Sequence, residues 1–185
     1  MDTVASLNWL KKSSLYELSE KLSSQIKKLF GPCLNVKDEK VLVVGDTGFQ
    51  DKSIAAVLSG AYYLAAQQLS LDAKLVFQSV KSRGDNADED VSNSLSELPE
   101  RNIIILNMSD KLGSVESIGK SFRRWVKKKN HRFVSAMSLG DLNTGKIDSI
   151  VDAMDVSYKP FQASHEKLRK QFDDAEEIHI TTNAG

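Results

Sequence analysis

Aliphatic residues recur at two different spacings along the chain, and these spacings separate predicted helices from predicted strands. In residues 14–30 a leucine or isoleucine returns every three or four positions, which places these side chains on one helix face. Continuous apolar runs within 40–44 and 102–107 predict strands buried on both sides, as in the centre of a parallel sheet. Between these strands, the apolar residues of 51–70 follow the helical spacing again.

The remaining sequence continues the alternation of strand and helix. We expect further strands at 74–78, 131–137 and 177–182, and further helices at 88–98, 118–129, 147–154 and 161–172. This order predicts an α/β fold with three layers, a doubly wound, mostly parallel sheet of about five strands with helices on both faces. We expect residues 1–36 to form an amino-terminal helical segment and residues 37–185 a single Rossmann-like domain.

The apolar stripe of the first predicted helix has two interpretations. Its members are Leu15, Leu18, Leu22, Ile26 and Leu29. Such a stripe packs against the rest of its own domain or pairs with a second chain, which would make the protein a dimerising scaffold. We favour packing within the chain and keep the homodimer as the alternative.

Composition and charge exclude several classes of function. The 185 residues include 25 Lys and Arg against 25 Asp and Glu, a balance that argues against coating DNA or an anionic membrane. Cys33 is the single cysteine, so no internal disulfide forms and a reducing compartment is expected. Because no apolar stretch is long enough to span a bilayer and no secretion signal is recognisable, we expect a cytoplasmic protein without membrane contact.

The turn after the first strand is a candidate phosphate loop because it lies between a strand and a helix. Its sequence, Gly45-Asp46-Thr47-Gly48, does not satisfy the G-x-G-x-x-G pattern that dinucleotide-binding loops need. Asp46 and Asp51 would repel a phosphate, and Asp51 is more simply expected to cap the following helix. We therefore favour an ordinary turn over a nucleotide site.

Polar residues that follow the predicted strands form the best candidate site for a small ligand. They are Asp46, Thr47, Gly48, Asn107, Asp110 and Ser138. In parallel sheets, ligands bind at the carboxyl ends of the strands, so these residues would gather there in a stand-alone binding module. The three histidines, His131, His165 and His179, lie in no metal-ligand spacing, and no serine or cysteine lies in a nucleophile motif. We predict no catalytic residue and no metal ligand in this chain.

The most basic segment, residues 122–132, interleaves aromatic and cationic side chains. Such a segment can bind nucleic acid by stacking and charge. The alternative, which we favour at zero net charge, is a helix with Phe122, Trp125 and Val126 inward and its cations in solvent.

Several segments of the sequence resemble the amino-terminal domain of the thermophilic metallo-aminopeptidase family and its archaeal leucyl-aminopeptidase-like relatives. These segments are the predicted strand 41–46, the alanine-rich predicted helix through 61–66, the predicted strand 103–107, and residues 135–139 and 175–185. Together they cover most of the chain from about residue 40 onward. At the level of the fold, ring-cleaving iron dioxygenases of pyridine catabolism look similar as well.

The resemblance implies an accessory role within a larger enzyme. Family members place their divalent metal ligands in a carboxy-terminal domain, which would begin about where residue 185 lies. The chain would then need no cofactor of its own, its partner would be that following domain, and hydrolysis would belong to the parent protein.

Overall fold

The computed structural model describes residues 1–179 and 181–182, apart from the side chain of residue 159. The chain divides into two compact units, Met1–Asp155 and Val156–Gly185. The larger unit contains the sheet, and the smaller one contains a single described helix.

The sheet of the larger unit has four parallel strands in the order β2-β1-β3-β4. Its strands are β1 (Val41–Asp46), β2 (Ala73–Gln78), β3 (Ile103–Asn107) and β4 (Arg132–Ala136). Every residue of β1 and β3 is buried, as the continuous apolar runs predict for central strands.

Six helices accompany the sheet in this unit. They are α1 (Thr3–Lys12), α2 (Tyr16–Lys27), α3 (Ile54–Gln68), α4 (Glu89–Ser96), α5 (Phe122–Lys128) and α6 (Ile147–Met154). Short 3-10 turns cover Glu116–Ile118, Leu139–Asp141 and Thr144–Lys146. The α/β class with helices on both faces of a parallel sheet is thereby confirmed.

The two faces of the sheet bury different helices because successive strand side chains alternate. On one face, Leu42 and Val44 of β1 share an apolar cluster with Val91 and Leu95 of α4. On the other face, Gly45 allows α3 to approach closely, since a Cβ there would lie 2.4 Å from Ser59 Oγ. The sheet therefore forms the middle of three layers.

The predicted stripe of the first helix packs inside its own chain. Leu22, Ile26 and Leu29 are at most 5% exposed, and α2 lies along α3. Ser19 Oγ donates a hydrogen bond to the carbonyl oxygen of Val57 at 3.1 Å, so the two helices approach closely. Within the expected helical segment 1–36 the structure has a second helix, α1, which ends at Lys12 and contacts β2.

The described residues contain four strands, one fewer than the predicted five. Residues 177–179 and 181–182 form no strand, and residue 180 of that predicted segment lies outside the described residues. Alternating apolar and polar residues are not sufficient for a strand, because the backbone also needs a neighbouring strand for its hydrogen bonds. His179, expected inside this strand, is instead exposed with Nε2 3.2 Å from Glu177 Oε1.

The described part of the smaller unit contains helix α7 (Tyr158–Asp173). Arg169 ties successive turns together by ion pairs with Glu166 at 2.7 Å and Asp173 at 2.6 Å. Of the helices in the described residues, none combines the length and apolar character that crossing a bilayer requires.

Candidate functional site

The carboxyl ends of β1 and β3 are the place where a ligand is expected in this fold. The chain order reverses between these two neighbouring strands, and doubly wound sheets open a crevice at such a point. Asp46 ends β1 and Asn107 ends β3, and the register pairs Gly45 with Asn107. The fold thus brings these two predicted site residues to the same edge.

Asp46 is fully buried, and both of its carboxylate oxygens accept hydrogen bonds from the protein. Oδ2 accepts from Ser109 N at 2.6 Å, and Oδ1 accepts from Ser109 Oγ at 2.5 Å and Gly48 N at 3.0 Å. These contacts connect the loops that follow β1 and β3. The carboxylate therefore acts as a clamp between two loops of the site.

Burial raises the pKa of the Asp46 carboxyl above its usual range, because the charged form loses its hydration. The hydrogen bonds from Ser109 and Gly48 favour the charged form and oppose this shift, whereas the charge of Asp110 adds to it. The site thus holds a carboxyl whose proton affinity exceeds that of an exposed aspartate.

The neighbouring buried polar side chains also have protein partners. Asn107 Nδ2 donates to Ser59 Oγ on α3 at 3.1 Å. At the end of β2, Gln78 Nε2 donates to the carbonyl oxygen of Leu112 at 2.9 Å, and its Oε1 accepts from Asp88 N at 3.2 Å. Buried amides of this kind fix the positions of the loops because an unpaired amide would be costly.

The turn after β1 has a backbone conformation that requires glycine. Gly48 has φ +70°, and a Cβ at this position would lie 2.4 Å from the carbonyl oxygen of Lys52. The cap of α3 is Ser53, so the prediction that Asp51 caps this helix is wrong. Asp51 instead has a left-handed φ of 58°, and its carbonyl oxygen accepts from Thr144 N at 2.9 Å.

A distant residue occupies the amino terminus of α3. Thr144 Oγ1 accepts a hydrogen bond from Ser53 N at 2.7 Å. Free N–H groups at a helix start are what attract phosphate in nucleotide-binding loops, and this one is already satisfied. The contact occupies one of the N–H groups at the start of α3, and the choice of an ordinary turn at residues 45–48 stays a prediction.

The segment after β4 forms hydrogen bonds with the segment after β3 at the same edge. Leu139 N donates to the carbonyl oxygen of Met108 at 3.1 Å, and Gly140 N donates to that of Ser109 at 2.9 Å. Ser138 is exposed with a left-handed φ of 62°. Asp110, at the start of the loop after β3, forms an ion pair with Lys111 at 3.0 Å. All six predicted site residues therefore lie at or beside the carboxyl edge, and their role in binding a ligand stays a prediction.

Three residues of this network were missed by reasoning from the sequence: Ser109, Ser59 and Gln78. Gln78 ends β2, as Asn107 ends β3, and Ser109 follows β3 by two residues. Their position at or after an apolar run was therefore a signal that could have identified them. Ser59 lies within the helical pattern of α3, where a small polar residue facing the sheet has no distinctive signature.

His131 is held in a structural environment at the opposite end of β4. It is 6% exposed, its Nδ1 accepts from Asn102 N at 3.1 Å, and its ring lies 5.0 Å from that of Trp125. Its Nε2 is buried without a hydrogen-bond partner among the described residues. Burial lowers the pKa of this imidazole. Within 1–179 and 181–182, no group of three or more His, Cys, Asp or Glu side chains has an arrangement for holding a metal.

The aromatic residues of the basic helix α5 pack inside the protein. The ring of Phe122 lies 5.4 Å from that of Phe133 and 5.8 Å from that of Trp125, and Val126 is 4% exposed. The cations Arg123, Arg124, Lys127 and Lys128 face solvent. The rings are therefore engaged in packing, as expected for a solvated helix face.

The fold and the edge geometry define a three-layer α/β domain with a Rossmann-like parallel sheet. No protein-family model, curated protein or solved structure matches the chain.

Proposed function

We propose that this chain is the amino-terminal, non-catalytic domain of a metallo-aminopeptidase-like protein, in which it shapes the substrate cleft or the subunit contacts. The sequence segments described above are the reason for proposing this family. The observation that supports a non-catalytic role is the occupation of both Asp46 carboxylate oxygens by Ser109 and Gly48.

The buried polar side chains of the carboxyl edge form hydrogen bonds within the protein. Enzymes of doubly wound folds direct their reactive groups into the crevice at the carboxyl edge. Here Asp46, Asn107 and Gln78 are at most 2% exposed and bind neighbouring loops instead. These hydrogen bonds favour a fixed arrangement of the edge loops, which is the property needed in a domain that positions another domain.

In this proposal, peptide hydrolysis belongs to the parent protein. A divalent metal held by a following domain would activate water and polarise the peptide carbonyl. The part of this chain is to hold the carboxyl-edge loops in place through the Asp46–Ser109 contact.

The experiment combines a sequence observation with metal analysis. We expect the reading frame to continue beyond the codon for Gly185 into a region rich in His, Glu and Asp. The full-length product should bind a divalent metal and hydrolyse leucine p-nitroanilide, whereas the 185-residue chain should do neither.

Each half of the proposal can fail separately. Hydrolysis by the 185-residue chain with added Co²⁺ or Zn²⁺ would disprove the non-catalytic role. A reading frame that ends at Gly185, or continues without such a region, would disprove the aminopeptidase assignment and favour a stand-alone binding module.

The proposed location is the cytoplasm. Cys33 is exposed and carries a free thiol, which persists in a reducing compartment. Fractionation of the native host with an antibody against the chain tests this, and recovery with secreted proteins would contradict it.

A further inference from the structure

A cavity of about 360 Å³ lies between the loop that follows β2 and the loop that follows β3. We name it the loop cavity; Arg83, Gly84, Lys111, Gly113, Lys120 and Phe122 are among its lining residues. Its volume falls in the range of small-molecule sites, roughly 300–1,000 Å³. None of the six ligand residues expected from the sequence lines it, so it is a separate candidate site.

The two walls of the loop cavity are tied to each other by backbone hydrogen bonds. Lys111 N donates to the carbonyl oxygen of Lys81 at 3.0 Å, and Ser114 N donates to that of Asp85 at 2.9 Å. Gly113 has φ +84°, and a Cβ there would lie 2.6 Å from Ala87 N. The loops therefore approach closely because glycine occupies this position, and the cavity between them is preformed.

The charge of the lining favours an anion. Three cations, Arg83, Lys111 and Lys120, line the cavity with one carboxylate, that of Asp85. The Asp85 Oδ2 atom accepts a hydrogen bond from Ser82 N at 2.8 Å, which directs this carboxylate toward the backbone of its own loop. The cations thus outnumber the acid among the lining side chains.

Two of these cations have no protein partner among the described residues. Lys111 forms an ion pair with Asp110, and Lys81, just outside the cavity, is bound by Asp88. Arg83 and Lys120 form no ion pair or side-chain hydrogen bond in residues 1–179 and 181–182. A guanidinium can bind a carboxylate or phosphate with two parallel hydrogen bonds, and an ammonium adds a point charge.

Part of the cavity lining is apolar. It includes Val115, which is 5% exposed, and the ring of Phe122, which is held by contacts with Phe133 and Trp125. A ring fixed in this way offers a flat surface for an apolar group. A ligand that matches both parts of the cavity carries an anionic head and an apolar body.

We propose that the loop cavity binds a small organic anion, with a carboxylate or phosphate at Arg83 and Lys120 and an apolar portion against Phe122. The site requires neither a metal nor a following domain. The test of this site is therefore independent of the test of the aminopeptidase assignment.

The experiment is a titration of the 185-residue chain followed by amide NMR, with phenyl phosphate, benzoate and inorganic phosphate as probes. Benzyl alcohol and benzylamine have the same ring without the negative charge. We expect saturable shifts at Gly84, Gly113 and Gly119 with the aromatic anions and weaker or no binding of the other probes. The stronger of phenyl phosphate and benzoate identifies the preferred head group.

Substitutions distinguish the cavity from general electrostatic attraction. Arg83→Gln and Lys120→Gln should each weaken binding about tenfold or more, because each removes a charged hydrogen-bond donor. The matched control is Lys128→Gln, an exposed cation on α5 outside the cavity, and it should leave the affinity unchanged.

Two results would overturn the proposal. One is the absence of saturable binding of either aromatic anion with a Kd below roughly 10 mM. The other is equal weakening in Lys128→Gln and the cavity variants, which would indicate nonspecific attraction. Arg83, Lys120 and Lys128 are all exposed, so we expect the three variants to fold. If one of them does not fold, the wild-type titration decides whether the cavity binds the anion.

Discussion

Ser109 donates two hydrogen bonds to the carboxylate of Asp46, one from its backbone N at 2.6 Å and one from its Oγ at 2.5 Å. The two residues are 63 positions apart in the sequence. Their contact connects the loops after β1 and β3, which are the two central strands of the sheet. It is a polar link across the carboxyl edge.

Ser109→Ala should destabilise the domain by about 1.5–3 kcal/mol, because it removes one hydrogen bond to a buried charged group. Urea denaturation measures the free energy of unfolding. Ser138→Ala is the matched control, since Ser138 is exposed, and its effect should stay within about 0.5 kcal/mol. Equal stability of the two variants would contradict the clamp.

The pKa of Asp46 predicts a specific pH dependence of stability. Because the folded-state pKa is raised, the folded protein binds a proton that the unfolded chain has already released. The contribution of Asp46 to the free energy of unfolding should therefore fall as the pH rises from about 4 through the raised pKa, and stay level above it. Asp46→Asn cannot titrate, so the difference between wild type and this variant isolates the effect. Parallel pH profiles would show that the pKa of Asp46 is not raised.

Gly48→Ala should destabilise the domain by about 2 kcal/mol or more, because it combines a positive φ with a clash against the Lys52 carbonyl. Thermal and urea unfolding measure this loss. Gly31→Ala provides the control, since a Cβ at Gly31 meets nothing within 4 Å. A loss at Gly48 no larger than the change at Gly31 would contradict the described turn.

His131 should protonate at a lower pH than an ordinary histidine, since burial disfavours the imidazolium. The folded-state pKa lies below the unfolded one, so the stability contribution is complete above about pH 6.5 and is lost as the pH falls toward the folded-state pKa. NMR titration of the Cε1 proton, assigned with His131→Gln, measures the folded-state pKa. A titration midpoint at or above the ordinary histidine pKa would contradict the lowered pKa of His131.

The layers of the fold could be predicted because they depend on local periodicity. Continuous apolar runs indicated β1 and β3, and the helical spacing indicated α3 within three residues of its start. Residues 177–179 and 181–182 form no strand although their alternation predicted one, because alternation is equally local, whereas a strand exists only when a neighbour accepts its backbone hydrogen bonds.

The candidate site was predicted in part. Strand ends identified Asp46 and Asn107, but no periodicity pairs Asp46 with Ser109 or Asn107 with Ser59. The cap supplied by Thr144 is equally remote, 91 residues from Ser53. Partners of this kind depend on strand order and loop path, which sequence spacing does not contain.

By itself, the sequence determined that β1 and β3 are buried strands and that α3 is a helix between them, since apolar spacing decides which face of a helix or strand avoids water. Only the tertiary structure decided that Asp46 is clamped by Ser109, that α2 lies along α3, and that Arg83 and Lys120 line one cavity. These contacts join residues from distant segments, and their geometry exists only after the sheet has set the order of its strands.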